Sequence, residues 1–202
     1  MDEMVLRAMK KWPNVPAAYG WLALDRRGTW LLEDKPLRHA RAVDFIARNY
    51  QPDEQGAWYF QNGPQKVYVK LAYAPLIAQV APDAEPTAPG SLRTHTGRSI
   101  QHVQQAYMDE EGSLILETEH GPALVDDRDL QFLLDTFVDS HGQSMDDEAL
   151  ETALHKLTQG ELAGLMLRYA DSLVAIHATT QAEVPNRLGF VRDPKPPTGS
   201  SS

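Results

Sequence analysis

Leu24-Asp25-Arg26-Arg27-Gly28-Thr29-Trp30-Leu31-Leu32-Glu33 aligns without a gap onto Met108-Asp109-Glu110-Glu111-Gly112-Ser113-Leu114-Ile115-Leu116-Glu117, with four identical positions and three conservative ones. In both stretches apolar residues flank Asp-x-x-Gly, and the glycine supplies the positive φ at which a hairpin turns cheaply. Any hairpin of that type would match in part. The informative feature is that the elements around the two stretches recur in the same order.

Working outward from the first stretch, Met4 to Lys11 reads as a short helix that stops before Trp12-Pro13, because the residue before proline avoids the helical region. Tyr19 to Asp25 and Thr29 to Leu32 are strand-like. Leu37 to Tyr50 is expected to be a helix, with Ala40, Val43, Ala47 and Tyr50 on its buried stripe. A second hairpin follows, Ala57 to Gln61 and Lys66 to Leu71 around Asn62-Gly63-Pro64. Tyr73 to Val80 can add an edge strand, where Pro75 is tolerated. Around the second stretch, Gln104 to Met108 and Ser113 to Glu117 are strands. A helix is expected from about Asp127 to Val138, with Leu130, Leu133, Leu134 and Phe137 at helical spacing. Ser144 with Asp147 starts an inserted helix, and Leu165 to Tyr169 with Leu173 to Ala178 close the unit. The expected fold is α+β: two tandem similar units, each hairpin–helix–hairpin, packed together.

The expected boundaries are an N-terminal unit over 1–80, a linker over 81–91, a C-terminal unit with an inserted helix over 92–192, and a flexible tail over 193–202. Three prolines in the linker remove backbone donors and fix φ, and the tail is rich in proline and serine. Charge divides along the same line. Through Val80 there are 11 Lys and Arg against 8 Asp and Glu, and from Ala81 onward 8 against 20. All four tryptophans, Trp12, Trp21, Trp30 and Trp58, fall in the first part. Either the two parts attract each other, or the first presents basic groups to an anionic ligand.

Gly28-Thr29-Trp30-Leu31-Leu32-Glu33-Asp34-Lys35-Pro36-Leu37, a helix, then Trp58-Tyr59-Phe60 and Lys66-Val67-Tyr68-Val69, followed by Ala74-Pro75-Leu76-Ile77, resembles the opening domain of an uncharacterised proteobacterial family, the domain of unknown function DUF1285. That family carries Gly-x-Trp, a Pro-Ile/Leu step, a helix, and a Tyr-Tyr strand paired with a Lys-Val strand. The resemblance implies a two-domain α+β arrangement of repeated motifs and a role in small-molecule-regulated signalling. It covers roughly residues 19–80. The C-terminal half, including Asn186-Arg187-Leu188-Gly189-Phe190-Val191-Arg192-Asp193-Pro194, has no counterpart in it.

Composition restricts the chemistry further. The net charge of −9 argues against a nucleic-acid or anionic-membrane partner, both of which need clustered positive charge. With no cysteine, thiol catalysis, disulfides, thiolate-bound zinc and iron–sulfur clusters are excluded. No apolar run is long enough to span a membrane, and Met1-Asp2-Glu3-Met4 puts acids where a signal peptide needs bases. The expected location is cytoplasmic. The seven histidines form no compact ligand pair, and no G-x-S-x-G, P-loop or G-x-G-x-x-G occurs. No metal site, catalytic residue or cofactor is expected, and an enzyme is the least favoured reading.

Two features keep functional weight. Arg38, Arg41 and Arg48 fall near one side of the first long helix, where guanidinium forks suit carboxylate or phosphate. Adjacent Trp58 and Tyr59 must point to opposite faces of a strand, so one of them can face a cleft, and Lys66 and Tyr68 share a face on the next strand. The candidate ligand-binding set is Arg38, Arg41, Lys66, Trp58 and Tyr68, as ionic anchors and stacking surface for an anionic small molecule. The function expected is that of a non-enzymatic small-molecule-binding or regulatory protein. The alternative is a protein-interaction adaptor that docks a protein partner through a strand edge or the acidic half.

Overall fold

A computed structural model describes residues 1–81 and 91–197. In chain order its elements are α1 (Glu3–Lys11), β1 (Ala18–Leu24), β2 (Trp30–Leu32), β3 (Lys35–Pro36), α2 (Ala40–Arg48), β4 (Tyr50–Pro52), β5 (Trp58–Asn62), β6 (Gln65–Leu71), β7 (Leu76–Val80), β8 (Leu92–Thr94), β9 (Val103–Met108), β10 (Leu114–Thr118), β11 (Gly121–Val125), a 3₁₀ segment (Leu130–Thr136), β12 (Phe137–Val138), α3 (Asp147–Thr158), β13 (Met166–Tyr169), β14 (Ser172–Ala178) and α4 (Val184–Arg187). The fold is mixed α+β, with two sheets and few helices.

Two compact units divide the chain. The first is Met1–Pro75 together with Gly189–Ser202, and the second is Leu76–Leu188. Of the expected linker, residues 82–90, and of the expected tail, residues 198–202, lie outside the described residues.

The first unit carries a six-stranded sheet of order β3-β2-β1-β6-β5-β4, antiparallel except where β1 and β6 run parallel. Its core is aromatic. Trp30 meets Tyr50 edge-on at 4.9 Å, and Tyr50 meets Trp58 at 4.8 Å. The Tyr50 hydroxyl donates to the Pro75 carbonyl at 3.0 Å, which gives this buried phenol its partner. α2 buries Ile46 and Ala47, while Ala40 at its start is exposed and Tyr50 belongs to β4. The helix is thus shorter than the pattern predicts, and His39 caps it by accepting from the Ala42 N–H.

The second unit carries an eight-stranded sheet of order β12-β13-β14-β9-β10-β11-β7-β8, with β14–β9 and β11–β7 parallel. β10 sits inside it and is apolar on both faces, with Leu114, Ile115 and Leu116 all buried. The expected helix over Asp127–Val138 is a 3₁₀ segment that stops at Thr136, because Phe137 and Val138 pair with β13 instead. α3 is capped by Asp146, whose carboxylate accepts from the Ala149 N–H, rather than by Ser144.

The hairpin–helix–hairpin expectation needs correction in both units. Each first hairpin extends to a three-stranded meander, through β3 in one unit and β11 in the other, and each second hairpin gains a strand, β4 or β12, directly after the helical segment. One turn design recurs. At Asp25, Asp53, Asp109 and Asp139 a carboxylate oxygen accepts the N–H groups two and four residues on, at 2.7–3.0 Å. A glycine with φ of +76° to +82° sits three residues after each aspartate.

Candidate functional site

Strand alternation in β5 and β6 builds the site. Trp58 turns into the core of the first unit, which forces Tyr59 to the opposite face. Tyr59 lies across from Tyr68 in the ladder, and Lys66, two residues before Tyr68, shares that face. The parallel neighbour β1 brings Tyr19 onto Tyr68, with ring centres 4.7 Å apart and planes within 8°. Tyr59 and Tyr68 are 5.7 Å apart, and the Lys66 ammonium stands 4.5 Å from the Tyr59 ring centre. An ammonium over a ring face is held there by the ring quadrupole.

The polar ends of the rings are fixed too. The Tyr68 hydroxyl donates to Asp53 Oδ2 at 2.9 Å, while Oδ1 of the same carboxylate closes the Asp53 turn. The Gln51 side-chain amide donates to the Tyr59 hydroxyl at 2.6 Å. Burial, and then the Asp53 carboxylate, push the Tyr68 hydroxyl well above the usual phenol range. Tyr68 therefore stays a neutral phenol whose proton is committed to Asp53, and it does not act as a base.

These rings border a groove of about 810 Å³ within the first unit. Asp53, Glu54, Lys66 and Lys195 supply its charge, the last from the C-terminal segment, which also supplies Val191, Pro194 and Pro197. That segment is anchored by backbone contacts. The Val191 N–H donates to the Gly56 carbonyl at 3.0 Å, and the Leu71 N–H donates to the Arg192 carbonyl at 2.7 Å. The Arg192 guanidinium also donates to the Ala72 carbonyl and lies 5.6 Å from the Tyr73 ring centre. A Cβ on Gly56 would stand 2.1 Å from the Gly189 carbonyl oxygen, so the approach is open to glycine only.

Of the residues predicted from sequence, Lys66 and Tyr68 come together here. Trp58 does not: it is 3% exposed, and its neighbour Tyr59 takes the groove face. Arg38 precedes α2 and Arg41 lies in its first turn; both are exposed and neither lines the groove. Arg48, the third member of that stripe, pairs with Asp2 at 3.2 Å. Sequence reasoning missed Tyr19, Asp53 and Pro194. The Asp53-x-x-Gly56 turn was a usable signal, since it repeats the motif that fixed the first hairpin.

Among the described residues, no group of three or more His, Asp or Glu side chains is placed to hold a metal ion. Among the same residues, no helix is long and apolar enough to cross a membrane.

A family model described as a protein of unknown function (DUF2946) matches residues 1–195. No curated protein matches the chain. The crystal structure of a DUF1285 family protein from Silicibacter pomeroyi DSS-3 superposes with a TM-score of 0.53 at 17% identity, covering 91% of this chain and 98% of that one. That of a DUF1285 family protein from Shewanella baltica OS155 gives a TM-score of 0.41 at 19% identity, covering 54% of this chain and 85% of that one. The first comparison is a likeness of fold. It runs through both units, whereas the sequence resemblance covers roughly residues 19–80.

Proposed function

The chain belongs to the family described as protein of unknown function (DUF2946), and from its geometry we propose that it is a non-enzymatic binding protein of regulatory type. The tyrosine groove of the first unit is the proposed site. One observation carries this reading: Tyr19, Tyr59 and Tyr68 are brought from three strands onto one groove, with Lys66 over one ring and Asp53 fixing another. Rings displayed on a groove wall, with the Tyr59 and Tyr68 hydroxyls already bonded, offer stacking area at little further entropic cost.

The anionic small molecule expected from the basic stripe finds weaker support. Lys66 faces the groove, but Arg38 and Arg41 do not line it, and Asp53 and Glu54 stand in its wall. The mixed charge favours a ligand with a ring or apolar face beside a charged group of either sign. The tandem arrangement is likewise proposed in corrected form, as meander–helix–meander in each unit. It is supported by the order β3-β2-β1-β6-β5-β4 in one sheet and β11-β10-β9-β14-β13-β12 within the other.

A second reading, an adaptor for a protein segment, is favoured by the chain's own C-terminal residues at the groove: Pro194 is buried, and Pro194, Lys195 and Pro197 line it.

Fragment titration monitored by amide NMR tests the site, using phenol, indole, pyrrolidine and benzoate as probes. Shifts are expected to cluster at Tyr19, Tyr59, Lys66 and Tyr68 and to vanish in Tyr68→Ala. Shifts centred on Arg38 and Arg41, or unaltered by Tyr68→Ala, reject the groove as the site.

A further inference from the structure

Asp193-Pro194-Lys195-Pro196-Pro197 holds three prolines in four successive positions after the aspartate. Each proline fixes its own φ and pushes the residue before it out of the helical region. Asp193, Lys195 and Pro196 all precede a proline, so the segment is biased towards an extended, polyproline-II-like path, and little entropy is lost when it is ordered. Consistent with that bias, residues 194–197 belong to no helix or strand.

The structure brings this segment to the groove that the tyrosines border. Pro194 is buried, Lys195 pairs with Asp193 at 2.7 Å, and Pro194, Lys195 and Pro197 line the same groove as Tyr19, Tyr59 and Tyr68. The backbone bonds at Val191 and Arg192 deliver it there. A groove walled by aromatic rings, with acids nearby, is the physical requirement for reading proline rings interleaved with a basic residue. Such rings suit flat pyrrolidine faces, and Asp53 and Glu54 in the wall suit a cation on a bound segment.

We propose that the tyrosine groove is a recognition site for extended proline-rich segments carrying a lysine or arginine, and that Pro194–Pro197 is its resident occupant in cis. A partner's segment of the same chemistry binds by displacing it. The inference rests on the reading of the groove as the binding site and adds the partner's class. A tethered occupant acts at an effective concentration in the millimolar range, so the intact chain binds such partners weakly until the tail is released.

The test uses the full-length chain and a fluorescent peptide containing Pro-Lys-Pro-Pro, followed by anisotropy. The double variant Pro194→Ala/Pro197→Ala is expected to bind the peptide about tenfold more tightly than the wild type. Adding Tyr68→Ala to that background abolishes binding, while adding Tyr68→Phe, which keeps the ring, preserves it. An Ala-Lys-Ala-Ala peptide does not bind. Because Pro194 is buried, Lys195→Glu serves as a second variant at an exposed position and also raises peptide affinity; tryptophan fluorescence verifies that each protein is folded. Equal affinity of the wild type and both tail variants overturns occupancy in cis. Absence of peptide binding to every variant overturns proline recognition, while fragment shifts at Tyr68 would leave the groove standing as the site. Peptide binding that survives Tyr68→Ala overturns the groove reading itself.

Discussion

Six strands of each sheet follow the same order, yet the face that forms the groove in the first unit is a different surface in the second. Counting along the paired strands from Leu24 and Met108, the positions of Tyr59, Lys66 and Tyr68 correspond to Met166, Leu173 and Ala175. The fold thus tolerates small and aliphatic residues at those places. Two tyrosines and a lysine on one unit's face are therefore not required by the ladder, in keeping with the binding role proposed for that face. The turns show a related contrast. Gly56 and Gly142 close matching Asp-x-x-Gly turns, at φ of +78° and +76°. Around Gly56 lies the backbone of the C-terminal segment, but around Gly142 lies only the flexible end of Leu173, 3.0 Å from the position a Cβ would take.

That contrast yields the largest expected effect. Gly56→Ala places a methyl group into a backbone carbonyl at a left-handed φ, and about 3–5 kcal/mol of first-unit stability should be lost. Gly142→Ala should cost about 1–3 kcal/mol, because a leucine end can move, and Gly112→Ala, with nothing within 4 Å, about 1–2 kcal/mol. All four tryptophans lie in the first unit. Urea unfolding followed by tryptophan fluorescence therefore reports that unit, while far-UV circular dichroism reports both. Equal losses for Gly56→Ala and Gly142→Ala would break the contrast and show that the C-terminal segment is only loosely seated.

How far the sequence discloses these differences depends on element length. The Asp25 and Asp109 hairpins are legible because their glycines and flanking apolar residues act locally, within ten positions. β3, β4, β11 and β12 escape notice for different reasons. Three of them have only two or three residues, too few for any period to register, and β11 begins Gly121-Pro122, which reads as a turn. Leu130, Leu133, Leu134 and Phe137 do have helical spacing, but the pairing of Phe137 with Leu167 is non-local and overrides it. In the site, Lys66 and Tyr68 could be read from alternation alone. Tyr19 and Pro194 could not, because a parallel strand pairing and a C-terminal segment bring them in from distant positions.

Acid should act more strongly on the second unit than on the first. Asp126 is 1% exposed and accepts hydrogen bonds from the Arg128 backbone and guanidinium and from the Gln79 amide. The Arg128 guanidinium holds its carboxyl well below the usual carboxylate range. A depressed folded-state pKa gives stability that is fully present above the unfolded value near ~4 and is lost as pH falls through the folded one. The first unit's Asp2–Arg48 pair also has a lowered aspartate, but it is solvent-exposed and screened. Lowering the pH below about 4 should therefore reduce the circular dichroism before tryptophan fluorescence changes. Asp126→Asn should cost about 2 kcal/mol at neutral pH and flatten that acid limb. Fluorescence and circular dichroism falling together would show that the two units do not differ in this way.

The smallest effect belongs to the groove itself. Tyr68→Phe removes one hydroxyl whose partner, Asp53 Oδ2, then faces a half-buried apolar edge. Asp53 keeps its turn, because Oδ1 alone holds the Gln55 and Ala57 N–H groups. The expected loss is about 1 kcal/mol, the ordinary net value of one hydrogen bond, with the Tyr19–Tyr68 stack retained. Urea unfolding measures it by tryptophan fluorescence, with Ala175→Gly at the corresponding position of the second unit, where no such bond exists to lose, followed by far-UV circular dichroism. A Tyr68→Phe loss of several kcal/mol would mean that the hydroxyl is part of the first unit's framework. In that case the contrast between the two faces would reflect stability rather than binding.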